Sequence, residues 1–160
     1  TVSIALTSAV FLIAAHIALA RFQPMLSSKA MAETINHITA ERGNADSQFM
    51  IYGDQSEASS VIFYTHRPAL RVHGKTWYFQ PGKEDHGELF GSSMIWGSYY
   101  PDAPHIFLSD RDLPGLWGAG PRHFLFVPQK YLSHVKQLLG NRLFEIQELS
   151  DKTLYTDRPL

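Results

Sequence analysis

Eight histidines and fifteen acidic residues give this chain many side chains able to move protons or hold a metal ion, and their spacing decides which of these they can do. His66, His73, His86, His105 and His123 fall in separate segments without the paired spacing of metal ligands. His37 and Glu41 are one helical turn apart, a spacing that an exposed i,i+4 pair explains. No metal ligand is assigned. Glu84, Asp85 and Glu88 sit beside Lys83 and His86 in a glycine-containing stretch that reads as a solvated loop. Nothing near them supplies the desolvation that tunes a general acid and base. With no cysteine in the chain, a disulfide framework, a thiolate zinc site and a cysteine nucleophile are all excluded. There is no Walker loop, no His-Glu-x-x-His and no Gly-x-Ser-x-Gly. Gly115-Leu-Trp-Gly118-Ala-Gly120 is glycine-rich, but it follows a helical pattern and precedes a strand. A phosphate cradle needs the reverse order, with backbone N–H groups at a helix start aimed at the anion.

Chemistry that binds is better represented. The segment Gln48–Tyr52 reads as a strand and runs into Gly53-Asp54-Gln55, which sets a hydroxyl, a flexible backbone, a carboxylate and an amide close together. In open α/β sheets, ligands bind beyond the carboxyl ends of the strands. The expectation is that Tyr52, Asp54, Gln55 and Arg67 share one rim of the domain, with Tyr99 or Tyr100 nearby, in contact with a substrate or another domain. An ordinary polar turn uses the same residues. The aromatic set Trp77, Tyr78, Phe79, Trp96, Tyr99 and Tyr100 reads either as core or as a platform at a membrane interface or against a sugar.

Elements must position these groups. Thr1–Ala20 is largely apolar and without formal charge apart from a protonatable His16, and it ends at Arg21. About twenty such residues make a helix ~30 Å long, enough to cross the hydrocarbon core of a bilayer. A signal peptide needs a positive n-region, and no Lys or Arg precedes the run. A buried core helix is the other alternative. The chain starts at Thr rather than Met and is read as the tail of something longer. Pro24 is expected to stop the first helix. Ser27 and Ser28 are placed to cap a second one carrying Met31, Ile35 and Ile38 on one stripe, with Gly43 past its end.

Beyond the polar stretch 44–47, short apolar runs alternate with helical patterns. Gln48–Tyr52, Ala69–Val72, Ile106–Leu108 and Phe124–Val127 read as strands, the last covered on both faces. Ser56–Thr65 reads as a short helix. Ser109-Asp110-Arg111-Asp112 reads as a capping box opening a helix through Trp117 that Gly118 and Gly120 terminate. Tyr131, Val135, Leu138 and Leu139 share a helical face before Gly140. Leu143–Leu149 alternates as a half-exposed edge strand, and Thr153–Thr156 is expected to close the sheet as its hairpin partner. Gly74–Pro104 gives no regular pattern. The fold class is therefore α/β: a transmembrane helix, then a three-layer, Rossmann-like domain with a mostly parallel sheet and an antiparallel edge. The divisions are 1–21 as the last transmembrane helix, 22–47 as a connecting helix and linker, and 48–160 as the α/β domain. A formal charge of −1 gives no electrostatic reason for a nucleic-acid partner.

The span, followed by Phe22-x-Pro24-x-Leu26-Ser27-Ser28-Lys29 and a strand ending in Tyr52, resembles the last membrane helix and C-terminal domain of bacterial GT-C glycosyltransferases. The relatives meant are the aminoarabinose lipid A transferases and the protein O-mannosyltransferase superfamily (glycosyltransferase family 39-like). Ser60-Val-Ile-Phe63-Tyr64-x-x-Arg67-Pro68 resembles that family's Phe-Tyr-x-x-Arg-Pro segment, and Ser109-Asp110 before the Leu116-Trp117 helix also fits. So does the ending Leu154-Tyr155-x-x-Arg158-Pro159, although Asp157 stands where an Asn-Arg-Pro is expected. The resemblance implies an inner-membrane enzyme with this domain in the periplasm, capping the active site. Its sugar would come from a polyprenyl-phosphate donor and pass to a lipid or protein acceptor. Its partners would be the lipid bilayer and the upstream membrane domain. The family's catalytic carboxylate lies in the first periplasmic loop of that membrane domain, so no catalytic residue carries over to this chain. No cofactor is assigned to the fragment, and a metal in the missing membrane domain is left open. A non-enzymatic, membrane-anchored periplasmic binding or sensor domain is the rival reading. A soluble nucleotide-binding α/β protein is disfavoured by the missing phosphate loop.

Overall fold

The computed structural model describes residues 2–41, 43–65, 77–80, 100–102, 106–149 and 151–160, without the side chains of 23–26, Gln55 and Gln80. The expected strand Ala69–Val72 and the residues Arg67, Glu84, Asp85, Glu88, Trp96 and Tyr99 lie outside the described residues.

Helix α1 (Val2–Leu26) is apolar, is uncovered by the domain over Val2–Phe22, and over those residues is long and apolar enough to cross a membrane. It does not stop before Pro24. A proline removes a single i→i−4 bond, and in the final turn that loss leaves the rest of the helix intact. After two residues, α2 (Lys29–Ala40) turns Met31, Ala32, Ile35 and Ile38 into the core, the expected stripe with one more member. Of the two serines expected to cap it, Ser27 does so and Ser28 does not. Ser28 makes no side-chain cap; the backbone N–H of Lys29 is accepted by Ser27 Oγ at 3.2 Å, and the N–H of Ser28 by Ser60 Oγ at 3.0 Å.

A mixed six-stranded sheet follows, formed by β1 (Gln48–Tyr52), β2 (Trp77–Gln80), β3 (Phe107–Ser109), β4 (His123–Pro128), β5 (Phe144–Leu149) and β6 (Lys152–Thr156). The strand order is β3-β2-β1-β4-β6-β5. Strands β1 to β4 are mutually parallel, and β6 runs antiparallel to both β4 and β5. Thus β6 does not close the sheet. It is inserted between β4 and β5, which explains why all five of its residues are buried while β5 forms the half-exposed edge. Strand β2 emerges within the stretch whose sequence gave no pattern. Its Trp77 and Phe79 face one way and Tyr78 the other, so this part of the aromatic set is core.

Alternation along β1 sends its side chains into two clusters, as a period of two requires. Phe49 and Ile51 join the α2 residues together with Val61 of α3 (Ser59–Tyr64), Phe124 and Phe126. Met50 and Tyr52 join Leu113 of α4 (Leu113–Leu116), Trp117, Leu125, Val127, and Val135 and Leu139 of α5 (Leu132–Leu139). The Ser109 capping box is formed. Ser109 Oγ accepts from the Arg111 N–H at 3.3 Å, and Asp112 Oδ2 accepts from the Ser109 N–H at 3.1 Å. Gly118 and Gly120 then adopt φ of 86° and 90°, which ends the segment.

Candidate functional site

Two histidine–aspartate pairs stand out, one at each end of the parallel strands. At the amino end, His123 Nδ1 lies 3.0 Å from Asp157 Oδ2, with both side chains almost wholly buried. Arg158 donates to the same carboxylate and, through Nη2, to the carbonyls of Gly120 and Pro121. Arg122 Nη1 and Nη2 donate to the carbonyls of Arg158 and Pro159. Burial alone would raise the Asp157 carboxyl, but hydrogen bonds from His123 and Arg158 outweigh it and hold it well below the usual carboxylate range. The pair is sealed from solvent, and the Asp-Arg-Pro ending is a clasp that fixes the chain terminus to the start of β4. An open pocket of about 550 Å³ lies near the same end, lined by Lys136, Gly140, Asn141, Leu143, Glu145 and Tyr155.

The second pair is open. Asp110 follows β3 directly, and His134 lies in the first turn of α5, just after β4. His134 Nε2 is 2.9 Å from Asp110 Oδ2, with the imidazole 45% exposed and the carboxylate 14%. With Nε2–H directed at the carboxylate, Nδ1 is left to face solvent or a ligand. Tyr52, at the end of β1, packs beneath this pair. Its ring centroid is 6.2 Å from that of His134 and 5.5 Å, edge-on, from that of Tyr131. The Tyr52 hydroxyl is buried and makes no hydrogen bond among the described residues. Burial first, and then the negative charge of the nearby Asp110 carboxylate, raise its pKa well above the ordinary phenol value. Asp110 therefore favours the protonated phenol electrostatically without meeting it in hydrogen-bond geometry.

The turn after β1 completes the floor. The Gly53 N–H donates to the Phe79 carbonyl at 2.8 Å and ties the ends of β1 and β2. Gly53 has φ of 98°, and a Cβ there would lie 2.6 Å from Tyr131 Cε2, so the backbone passes against the ring face where only glycine fits. Asp54 is used as an N-cap: its Oδ1 accepts from the Ser56 N–H at 2.7 Å and starts the 3-10 turn Gln55–Ala58. The Lys130 ammonium pairs with Glu57 and sits 4.9 Å from the Tyr131 ring centroid. Hydrogen bonding to Glu57 raises the Lys130 pKa.

The sequence-selected residues are therefore dispersed in role. Tyr52 lies at the expected end of its strand, buried; Asp54 caps; Gln55 contributes its backbone to the turn; Tyr100 is exposed; Arg67 and Tyr99 lie outside the described residues. The polar and aromatic side chains that the structure brings together at this edge are Asp110, Tyr131 and His134, with Lys130 and Glu57 at the margin. Twenty-four residues separate Asp110 from His134. Their one shared signal is that each follows a strand which ends at this edge. Among the described residues, no group of three or more His, Cys, Asp or Glu is placed to hold a metal ion. This edge can offer the His134 imidazole, the Asp110 carboxylate and the Tyr131 ring to a polar ligand, whereas the Tyr52 hydroxyl is wholly buried. In comparisons with known proteins, no family model, no curated protein and no solved structure matches this chain.

Proposed function

We propose that this chain is the last membrane helix and periplasmic domain of a bacterial inner-membrane glycosyltransferase that uses a polyprenyl-phosphate sugar donor. The domain, read as a three-layer, Rossmann-like α/β unit, caps the extramembrane side of an active site built by the rest of the protein. The observation that carries the membrane part of this reading is α1: an apolar helix left uncovered by the domain over Val2–Phe22 and joined to the core helix α2 through only Ser27 and Ser28. An uncovered apolar helix of this length finds its solvent in a bilayer. Further support comes from the reversal of strand order between β1 and β4, where α/β sheets open a crevice. The His134–Asp110 pair and the Tyr131 ring lie at that place and suit hydroxyl groups of a sugar or acceptor headgroup.

The test uses the full-length protein in its native membranes. It should remain in the membrane after an alkaline carbonate wash and transfer sugar from the polyprenyl-phosphate donor. His134→Ala and Asp110→Asn should lower kcat/KM while the melting temperature changes little. Release by carbonate would refute the anchor. Binding of the donor without any transfer would assign the chain to a non-enzymatic, membrane-anchored binding domain instead.

A further inference from the structure

We infer that the domain stands on the bilayer with the carboxyl edge of its parallel strands turned toward the lipid headgroups, so that the Tyr52–Asp110–His134 crevice opens at the membrane surface. This rests on the reading of α1 as a span and goes beyond it, because a span by itself leaves the domain's orientation open.

The argument is one of chain direction. Helix α2 is pinned at both ends. At its start, the Ser28 N–H reaches Ser60 Oγ at 3.0 Å, and Ser60 belongs to the helix that follows the carboxyl end of β1. Past its end, Asn44 Oδ1 accepts from Arg122 Nε at 3.0 Å, and Arg122 immediately precedes β4. The N–H of Gln48, which opens β1, bonds to the Arg122 carbonyl at 2.8 Å, so this is the amino edge. Helix α2 thus runs from the carboxyl edge to the amino edge, and β1 returns. Twelve helical residues cover about 18 Å and five strand residues about 17 Å, so the two edges are matched and well separated.

The start of α2 is the end nearest α1. Three residue steps from Leu26 to Lys29 reach at most ~11 Å. Residues 23–26 add about 6 Å of helix beyond the apolar stretch that ends at Phe22. The headgroup layer on one side of a bilayer is itself roughly 5–8 Å deep. The carboxyl edge is therefore held near that layer; with the strands upright on the bilayer, as inferred here, the amino edge lies a strand length farther out. At the near end, the Lys29 ammonium lies 5.9 Å from the centroid of the Tyr64 ring, which reaches back toward it from the end of α3. Aromatic rings and cations gather at this depth.

These 160 residues contain no cysteine, so each introduced thiol is unique within them. Ser59→Cys and Gln129→Cys mark the carboxyl edge, Ala119→Cys and Asn141→Cys the amino edge, all at exposed positions. Phe11→Cys marks the span. Each variant of the full chain is labelled with a fluorophore and placed in phosphatidylcholine–phosphatidylglycerol vesicles containing a headgroup nitroxide lipid. Quenching at 59 and 129 should exceed that at 119 and 141 severalfold. Equal or reversed quenching, with the label at 11 still shielded from aqueous quenchers, would overturn the orientation and leave the span standing. A label at 11 open to aqueous quenchers would overturn the span and the orientation together.

Discussion

Substituting Gly53 by Ala tests the contact that shapes the crevice floor. Two separate effects are built into that position. The backbone φ of 98° disfavours any side chain, which costs about 1–2 kcal/mol. A Cβ would also lie 2.6 Å from Tyr131 Cε2, and forcing an overpacked ring aside costs about 1–3 kcal/mol more. Gly43 supplies the control, because its φ of 88° carries the first effect while nothing lies within 4 Å of its would-be Cβ. Gly43→Ala should therefore destabilise by about 1 kcal/mol and Gly53→Ala by about 3 kcal/mol. For a chain of this size, the difference is roughly 4–8 °C in Tm. In a Tyr131→Ala background, Gly53→Ala should fall back to about 1 kcal/mol, because the ring it strikes is gone. The assay is equilibrium urea unfolding of the full chain in detergent micelles, with slopes compared to exclude a change in the unfolded state. If Gly53→Ala costs no more than Gly43→Ala, or costs the same with and without the Tyr131 ring, the packing of Tyr131 over the β1 turn is refuted.

Tyr52→Phe should leave stability unchanged or raise it by about 1 kcal/mol, since it removes a buried hydroxyl that lacks a hydrogen-bond partner. A clear loss of stability on urea unfolding would show that the hydroxyl is satisfied. Asp157→Ala should destabilise by about 3 kcal/mol at pH 7, because it leaves the buried His123 ring without its partner. The Asp157 carboxyl is depressed in the folded state, so its stabilising contribution is complete above the ordinary carboxylate pKa and is lost as pH falls below it toward the folded value. The gap between wild type and Asp157→Ala should accordingly narrow in unfolding curves below about pH 4; a gap independent of pH would refute the ionised clasp.

Local patterns were enough for much of this molecule. The uncharged run to Ala20 makes a helix by length and composition alone, and the Met31/Ile35/Ile38 stripe faces the core because 3.6-residue periodicity leaves it no other face to bury. The unbroken apolar run in β4 announces a strand covered on both sides. The Ser109 and Asp112 pair closes its box within four residues, where sequence distance and spatial distance coincide. Strand β2 had no such signal. Its Trp, Tyr and Phe are apolar at every position, and only pairing with β1 decides which ring faces which cluster. Strand β6 likewise reads as the end of a hairpin until both its edges are seen to be paired.

The site belongs to the second kind. Asp54 looks like a ligand-binding carboxylate in sequence, yet the unpaired N–H groups at the start of a 3-10 turn claim it as a cap. His134 carries no motif, and Asp110 stands in a capping segment whose box is closed by Ser109 and Asp112, which leaves its own carboxylate undetermined by anything local. They meet only because β3 and β4 are parallel strands ending at the same edge, on opposite sides of β1. Tyr52 was legible as a strand end, but its burial beneath that pair is a property of the assembled sheet. Periodicity and capping act over a few residues and are written in the chain; the meeting of residues from separate strands is decided by pairing and packing, which only the folded structure sets.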